Sequence, residues 1–538
     1  MALKRIAQIK ADLLSCGVRL PSESLLAGGG RVRKGGAGPA DGVTLVLEGS
    51  PASVPIGSAH AKASPYHLEE DGESASRWVL CRSAERLDVR VSVLTDPRFY
   101  EARTADGIPY RKIALLHGSD CLASTVLQSC AFWGTDAGCR FCGIGLSLMQ
   151  GRTVLRKNPH HLAEVAAAAR TEGIRHVTLT AGTTKDREEE WVLSLEAARA
   201  VRDASGLPVH AQLMPPLSRD RMKGLRDAGV STLGIHVESL DPHVLQAISP
   251  CKASVPFGEY LQAWKDAVEV FGRNQVSTFV LLGLGEDLAT LGGGYRRIAE
   301  MGVYPYLVPF RPIPGTPLAD RKPLEAALAR EIYEEAAGVL ADCGLGWSGV
   351  QAGCVRCRGC SALPDFEDAL AEDRAGAGPG VGLVWEVIES GPWLDACFAI
   401  RHEVFVREQG FFPRTDRDDL DPVSIHILAR GGRESLGTVR ITPLGDGRWL
   451  GSRLAVLAAH RGSVGHRIVR KAEEEVWKRG GKRFFAYIQL PRVEFFQRCG
   501  WRCLEEIPDY HGRPHMLMEA PGAAASTSPG LPWLEERP

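Results

Sequence analysis

The chain has 538 residues, 44% hydrophobic and 24% charged, with 64 Lys and Arg against 65 Asp and Glu and a formal net charge of −1. These proportions exclude wholesale disorder, and the length asks for roughly three or four domains. Near-neutrality argues against a chain-wide nucleic-acid surface, and no apolar run reaches the 18 or so residues of a membrane span.

The opening MALKRIAQIKADLL carries Lys4, Lys10 and Asp12 inside its apolar stretch and lacks a small-residue cleavage site, so it does not read as a signal peptide. A cytoplasmic location follows as the expectation, and there the 14 cysteines need a role other than disulfides. Residues 1–105 read as a small α+β region: a helix over 3–14, then strands at VTLVLEG, RWVLC and LDVRVSVL. Between them lies a Gly-rich segment, 28–42, carrying Arg31, Arg33 and Lys34. It reads as a flexible loop, with an anion cradle as the alternative, although it lacks the Lys-Ser/Thr ending of a phosphate-binding loop.

Over 106–342, six strand-like runs (127–132, 176–182, 209–214, 232–238, 276–283 and 303–310) alternate with helical stretches. Asn158-Pro159 reads as a helix start, and Gly173 and Gly272 as helix stops. The alternation implies parallel βαβ units and predicts a partial (β/α)6 barrel, with its chemistry at the C-terminal strand ends. A Cys-rich segment follows at 343–366, then an acidic, Ala- and Gly-rich stretch at 367–381 that reads as a linker. Residues 382–520 form a further α+β unit, and 521–538 read as a disordered tail.

Six cysteines fall in two groups. The first, Cys130-x8-Cys139-x2-Cys142, follows the first predicted barrel strand. Three thiolates from one loop can hold three irons of a [4Fe–4S] cube and leave the fourth open; zinc with a distant fourth ligand is the alternative. The loop's place at the barrel rim, with Phe141 before the last cysteine, resembles the radical S-adenosylmethionine (SAM) superfamily over roughly 106–342. That resemblance implies a SAM-binding [4Fe–4S] cluster on these three cysteines, a 5′-deoxyadenosyl radical, and an electron donor such as flavodoxin or ferredoxin. It implies SAM contacts at Gly182 and Thr183, at Glu238, and at Gly283 and Gly285, with residues 310–318 as a proline-rich exit. The eight-residue first gap departs from the usual three and marks a divergent branch. His210, Gln212, His236 and Arg311 near strand ends are candidate substrate contacts, although each alone reads better as a packed, satisfied residue.

The second group, Cys354-x2-Cys357-x2-Cys360, has iron–sulfur spacing and needs a remote fourth ligand. Cys343 is nearest in sequence, and Cys121 and Cys251 are also possible. An auxiliary [4Fe–4S] cluster is the favoured reading over a structural zinc.

Residues 382–520 resemble the GNAT superfamily of acetyl-CoA-dependent N-acyltransferases. The carriers are Ile400-Arg401-His402-Glu403-Val404-Phe405-Val406-Arg407-Glu408-Gln409-Gly410, then Asp418-Asp419-Leu420-Asp421-Pro422, and Gly512-Arg513-Pro514-His515. The resemblance implies acetyl-CoA contacts at Leu454, Val456, Arg461, Gly462 and Gly465, in a loop one residue shorter than the family's. Phe496 stands where many members have a tyrosine that protonates the leaving thiolate, so Tyr487 or a water would take that role, and Glu408 is a further catalytic candidate.

As a whole the chain resembles radical-SAM proteins of nitrilase-linked gene clusters fused to a GNAT partner. This implies a bifunctional enzyme acting on a small nitrogen-containing metabolite. One rival is a transfer-RNA-modifying enzyme like the catalytic subunit of Elongator, which joins the same two domains; the balanced charge stands against it. The other is a non-catalytic Fe–S redox sensor or scaffold.

Overall fold

The computed structural model describes residues 2–21, 42–70, 78–376, 383–391, 393–431, 434–510 and 512–522. Most of the predicted Gly-rich loop, the end of the predicted linker and nearly all of the predicted tail lie outside them. The chain divides into two compact units. The first is Met1–Glu286 with Ile298–Tyr333 and Val339–Ala369, and the second is Asp287–Arg297 and Glu334–Gly338 with Leu370–Pro538. No described helix is long and apolar enough to cross a membrane.

In the first unit, helix α1 (Ala2–Cys16) precedes an antiparallel sheet of β1 (Gly42–Leu47), β2 (Ser50–Pro55), β3 (Tyr66–Glu70), β4 (Trp78–Arg82) and β5 (Glu85–Val93), in the order β2-β1-β5-β4-β3. Leu13, Val18, Leu45, Val54 and Leu80 form its core. Strands β2 and β3 lie outside the expected ones, because SPASVP and YHLEE offer no apolar run.

The second sheet of this unit is the predicted partial barrel. Its strands are β6 (Leu115–His117), β7 (Cys121–Leu127), β8 (His176–Ala181), β9 (Val209–Gln212), β10 (Val230–Gly234), β11 (Val276–Leu282) and β12 (Val303–Pro309), in the order β12-β11-β10-β9-β8-β7-β6. Strands β7 to β12 are parallel, and the short β6 runs antiparallel along the edge. The first parallel strand lies earlier than the predicted 127–132. All seven residues of CLASTVL are buried, but its small Cys, Ala, Ser and Thr dilute the apolar signal. Crossover helices include α2 (Pro159–Thr171), α3 (Arg187–Ser205), α4 (Arg219–Asp227) and α5 (Phe257–Phe271). Asn158 caps α2 by accepting the His160 amide, and Pro159 sits at its first position, where its missing N–H costs nothing.

After α6 (Ala326–Asp342), the predicted linker is helical through α7 (Leu363–Gly376). Leu363, Phe366 and Ala369 form a buried stripe, and Phe366 stacks on Tyr333 at 5.7 Å. The acidic composition that suggested a linker is partly inside: Glu367 accepts the Tyr304 hydroxyl and the Trp347 amide, and burial pushes its carboxyl up to about 8. Asp365 is also buried and receives the Lys10 ammonium at 2.5 Å, which ties α1 to α7. Ser50 joins both groups from β2.

The second unit carries β13 (Leu383–Ile388), β14 (Ile425–Gly431), β15 (Glu434–Gly445), β16 (Arg448–Val456), β17 (Arg483–Gln489), β18 (Arg502–Tyr510) and β19 (Arg513–Glu519), in the order β13-β14-β15-β16-β17-β19-β18. Among the described strands of this sheet, only β16 and β17 pair in parallel. Helices α8 (Trp393–Arg401) and α9 (Arg461–Lys478) pack on the sheet, and a π-helical stretch, His402–Glu408, continues α8.

Asp365→Ala leaves the fully buried Lys10 without its counter-charge. It should cost about 3–5 kcal/mol and lower the first unit's calorimetric transition, whereas Lys10→Met with Asp365→Leu should restore most of the loss.

Candidate active sites

Residues 128–143 form a loop at the C-terminal end of β7, tied down along its length. The Ala131 amide bonds the Thr183 carbonyl at 2.8 Å, and the Trp133 indole N–H donates to the Cys142 carbonyl at 3.0 Å. From the other side, the Arg140 amide reaches the Ile248 carbonyl at 2.8 Å and the Cys251 amide reaches Ala137 at 2.9 Å. Gly182 is dictated by this packing, since a Cβ there would lie 1.9 Å from the Ser129 carbonyl oxygen. The loop brings Cys130, Cys139 and Cys142 to one cavity of about 350 Å³, where Gly182, Thr183 and Glu238 also line the wall. Gly283 and Gly285 are not in that lining. They turn the chain beyond β11 at φ +94 and +91°, and Glu286 accepts the amides of Gly283 and Leu284, both at 2.7 Å.

Two groups of the cavity wall, Lys252 and Glu190, carried no sequence signal. Lys252 donates to Glu238 at 2.5 Å and to the His236 carbonyl at 2.7 Å. Burial pushes its ammonium down, but the Glu238 charge more than offsets this and holds it above its ordinary range. Glu190 is buried in the wall and accepts the Thr184 amide at 3.1 Å. Cys251 stands beside the triad, its sulfur 3.7 Å from that of Cys139, and Ser249 Oγ lies 2.8 Å from the same sulfur. The shared hydrogen bond holds Cys139 up and Cys251 down, and burial pushes Cys142 up to about 12.

Of the predicted substrate contacts, Gln212, His236 and Arg311 line this cavity. Arg311 also donates to the Ser53 carbonyl. His236 stacks on Phe279 at 4.1 Å and accepts the Phe279 amide at Nδ1, so its proton sits on Nε2. Burial holds the ring well below its usual range and therefore neutral. His210 is fully buried behind it, and desolvation lowers it to about 3.

Cys354, Cys357 and Cys360 line the same cavity. The fourth thiol brought to them is Cys121, hydrogen-bonded to Cys357, and not the predicted Cys343. Cys343 ends α6, and its carbonyl accepts the Arg273 guanidinium at 3.0 Å. Nearness in sequence misled here, because the chain between 343 and 354 crosses the strand starts before the triad begins. Burial holds Cys121 and Cys354 well above the usual thiol range, with the neighbouring cysteines adding to it.

In the second unit, β16 and β17 pair from Arg448↔Arg483 to Gly451↔Ala486 and then separate, although the strands continue to Val456 and Gln489. The gap opens a cavity of about 240 Å³ lined by Leu454, Val456, Arg461, Gly465, Tyr487 and Phe496, among others. The divergence starts where Arg453 takes φ +55° and the β15–β16 register slips. A buried ion network holds this point. Arg453 reaches Asp418 at 2.8 Å, Arg440 reaches Asp421 at 2.7 Å, and Arg401 reaches Asp421 at 2.7 Å and Asp416 at 2.6 Å.

Glu408, predicted as catalytic, does not line the cavity. It pairs with Arg461, whose Nε also donates to the Val456 carbonyl at 3.1 Å. In this π-helical stretch Val404 and Phe405 face the cavity, as does Gln409 just beyond it, while Glu408 faces Arg461. His515 and Gln489, paired across β19 and β17, complete the polar wall.

The radical SAM superfamily model matches residues 134–293, and the acetyltransferase (GNAT) family model matches residues 392–501. An uncharacterized N-acetyltransferase, YjcF, of Bacillus subtilis is 32% identical over 127 residues, 23% of this chain and 90% of that protein. The bacteriochlorophyllide c C-7(1)-hydroxylase of Chlorobaculum limnaeum is 30% identical over 133 residues, 24% of this chain and 33% of the relative. A biotin synthase of Leptothrix cholodnii is 25% identical over 170 residues, 30% of this chain and 46% of the relative. The chain thus spans less than half the length of these last two.

Burial pushes the carboxyls of Asp418 and Asp421 up, but the arginines beside them more than offset this and hold both below the ordinary range. Depressed carboxyls contribute stability above the unfolded pKa of about 3.9 and lose it as pH falls through the folded value. Thermal melts of the second unit should therefore fall steeply below about pH 4, and Asp421→Asn should melt lower at neutral pH with a shallower acid dependence.

Proposed function

Since the chain carries a radical-SAM domain and, in its carboxy-terminal part, belongs to the GNAT acetyltransferase family, we propose that it is a bifunctional enzyme. Its barrel would cleave SAM reductively to act on a small nitrogen-containing metabolite, and its second unit would acylate an amine. The observation that supports the first activity best is the convergence of Cys130, Cys139 and Cys142 on a cavity at the C-terminal strand ends, walled by Gly182, Thr183 and Glu238. An all-thiol donor set facing a largely apolar cavity with a few polar groups fits a [4Fe–4S] cluster with one iron open to SAM. When bound there, the cluster supplies the electron for sulfonium cleavage and hence hydrogen-atom abstraction from a substrate.

The chain's own residues hold and exclude. Trp133 and the 248–251 segment fix the cysteine loop, while Glu238 and Lys252 form a closed pair that offers a carboxylate without a net charge. Phe141, Phe279 and Phe310 supply apolar wall that keeps water from a reactive species. A cavity of about 350 Å³ suits a metabolite-sized ligand. The resemblance to nitrilase-linked proteins adds the chemical class, a nitrile, amide or related nitrogen compound.

For the second activity, the parted strands β16 and β17 offer unpaired backbone edges to an amide-bearing arm such as that of acyl-CoA. The first turn of α9, at Arg461 and Gly465, suits pyrophosphate, because amides at a helix N-terminus lack intrahelical partners. Glu408 positions Arg461 for that contact. Tyr487, in the cavity wall, is the hydroxyl that would protonate the departing thiolate in place of Phe496.

In anaerobically reconstituted protein given dithionite and SAM, 5′-deoxyadenosine should form. Cys130→Ala, Cys139→Ala or Cys142→Ala should abolish it while acyl-CoA binding by calorimetry is unchanged; cleavage that survives all three substitutions would overturn the assignment. With an acyl-CoA and an amine panel, Tyr487→Phe should lower kcat by about 10²–10⁴-fold at little change in KM for acyl-CoA.

A further inference from the structure

We infer that Cys121, Cys354, Cys357 and Cys360 together form a closed four-thiolate site for a second iron–sulfur cluster at the floor of the barrel, with no iron left open to substrate. The inference builds on the proposed enzyme reading and adds the ligand set and role of the second centre.

Cys121 is the first residue of β7 and so lies at the N-terminal strand end, opposite the mouth where the SAM triad sits. The segment carrying the other three is fastened to that same end. The Gly353 amide donates to His176 Nδ1 at 3.2 Å, and Thr232 Oγ1 donates to the Ala352 carbonyl at 3.2 Å. Gln275 and Asn274, at the start of β11, donate to the carbonyls of Gly349 and Gly346 at 2.9 and 2.7 Å.

Within this floor, Cys357 packs against the turn that leads into Cys121. Gly118 takes φ +53°, and a Cβ there would lie 2.8 Å from the Cys357 sulfur, so the turn admits that thiol only as glycine. Cys121 alternates along β7 with Thr125, which lines the cavity, so its side chain shares the inward face. Its sulfur lies 3.3 Å from Thr178 Oγ1 and is hydrogen-bonded to Cys357. Above it, Gln212 Nε2 reaches the Cys354 sulfur at 3.5 Å.

Ligand number decides what such a centre can do. Three thiolates would leave an iron facing the cavity, available to anchor a substrate. Four close the coordination and restrict the cluster to electron transfer or structural support. Substrate contacts then fall to the neutral groups of the wall, such as Gln212 and His236.

The test uses the full chain, reconstituted anaerobically, with Cys130, Cys139 and Cys142 all changed to Ala so that remaining iron reports the second site. This protein should keep one cluster's iron and sulfide and give, on reduction, an electron paramagnetic resonance signal that cyanide does not alter. Adding Cys121→Ala should abolish that signal or make it cyanide-responsive, whereas adding Cys343→Ala should leave it unchanged. Cys121→Ser, which keeps the side chain's size and polarity, should lose the closed-site signal with an unchanged circular dichroism spectrum, which separates ligand loss from misfolding. An unaltered signal in the Cys121 variants, or its loss on Cys343→Ala, overturns the ligand set. A triple variant that holds only zinc, or no metal, overturns the second cluster itself while leaving the SAM site to its own assay.

Discussion

A thiol buried in a medium of low dielectric keeps its proton, and the inside of the barrel follows from that constraint. Burial holds Cys121, Cys142 and Cys354 above the usual thiol range, and each neighbouring sulfur raises the cost of ionising the next. Only a cationic centre makes several thiolates affordable in one cavity, so a metal centre held there would take the thiol protons off as it bound. The fold therefore has to present the sulfurs in advance. It fixes one group on a loop tied to β7, β8 and the 248–251 segment, and the other on a segment tied to strand N-termini.

The spacing of the cysteines was legible because three ligands from one loop must lie close in sequence. The partial barrel was legible because parallel strands buried on both faces leave long apolar runs. Lys252 and Glu190 were not, since each reaches the cavity from a separate part of the chain and carries no local pattern, and Cys121 and Cys251 stood only as alternatives because spacing cannot choose among remote cysteines. The barrel's first strand was misplaced because CLASTVL is buried through small side chains. The start of the expected linker, 367–376, is instead the rest of helix α7, because Glu367 is acidic in composition yet buried and partnered. In each miss, long-range packing overrode local composition.

The second unit illustrates the same limit at its cavity. Asp418 and Asp421 were visible as a motif, but their use was not. They form, with Arg401, Arg440 and Arg453, a buried network that pins a positive-φ arginine where two strands part. Such a network is weak evidence for net stability, because desolvation opposes the ion pairing. Its better-supported role is geometric. It holds β16 in a bulged course that keeps it from closing on β17, and the cavity exists only while the strands stay apart.

The electrostatics of the barrel cavity favour one class of chemistry over another. His236 and His210 are held neutral by burial, and Lys252 is locked to Glu238. No group among these is poised near neutrality with a free proton to give or take, which is what general acid–base catalysis demands. Hydrogen-atom abstraction moves a proton and an electron together and creates no charge, so it needs a shaped, dry, electrically quiet wall instead. The paired charge, neutral rings and apolar surface of this cavity meet that need, with Arg311 and Glu190 as further charged groups of the same wall.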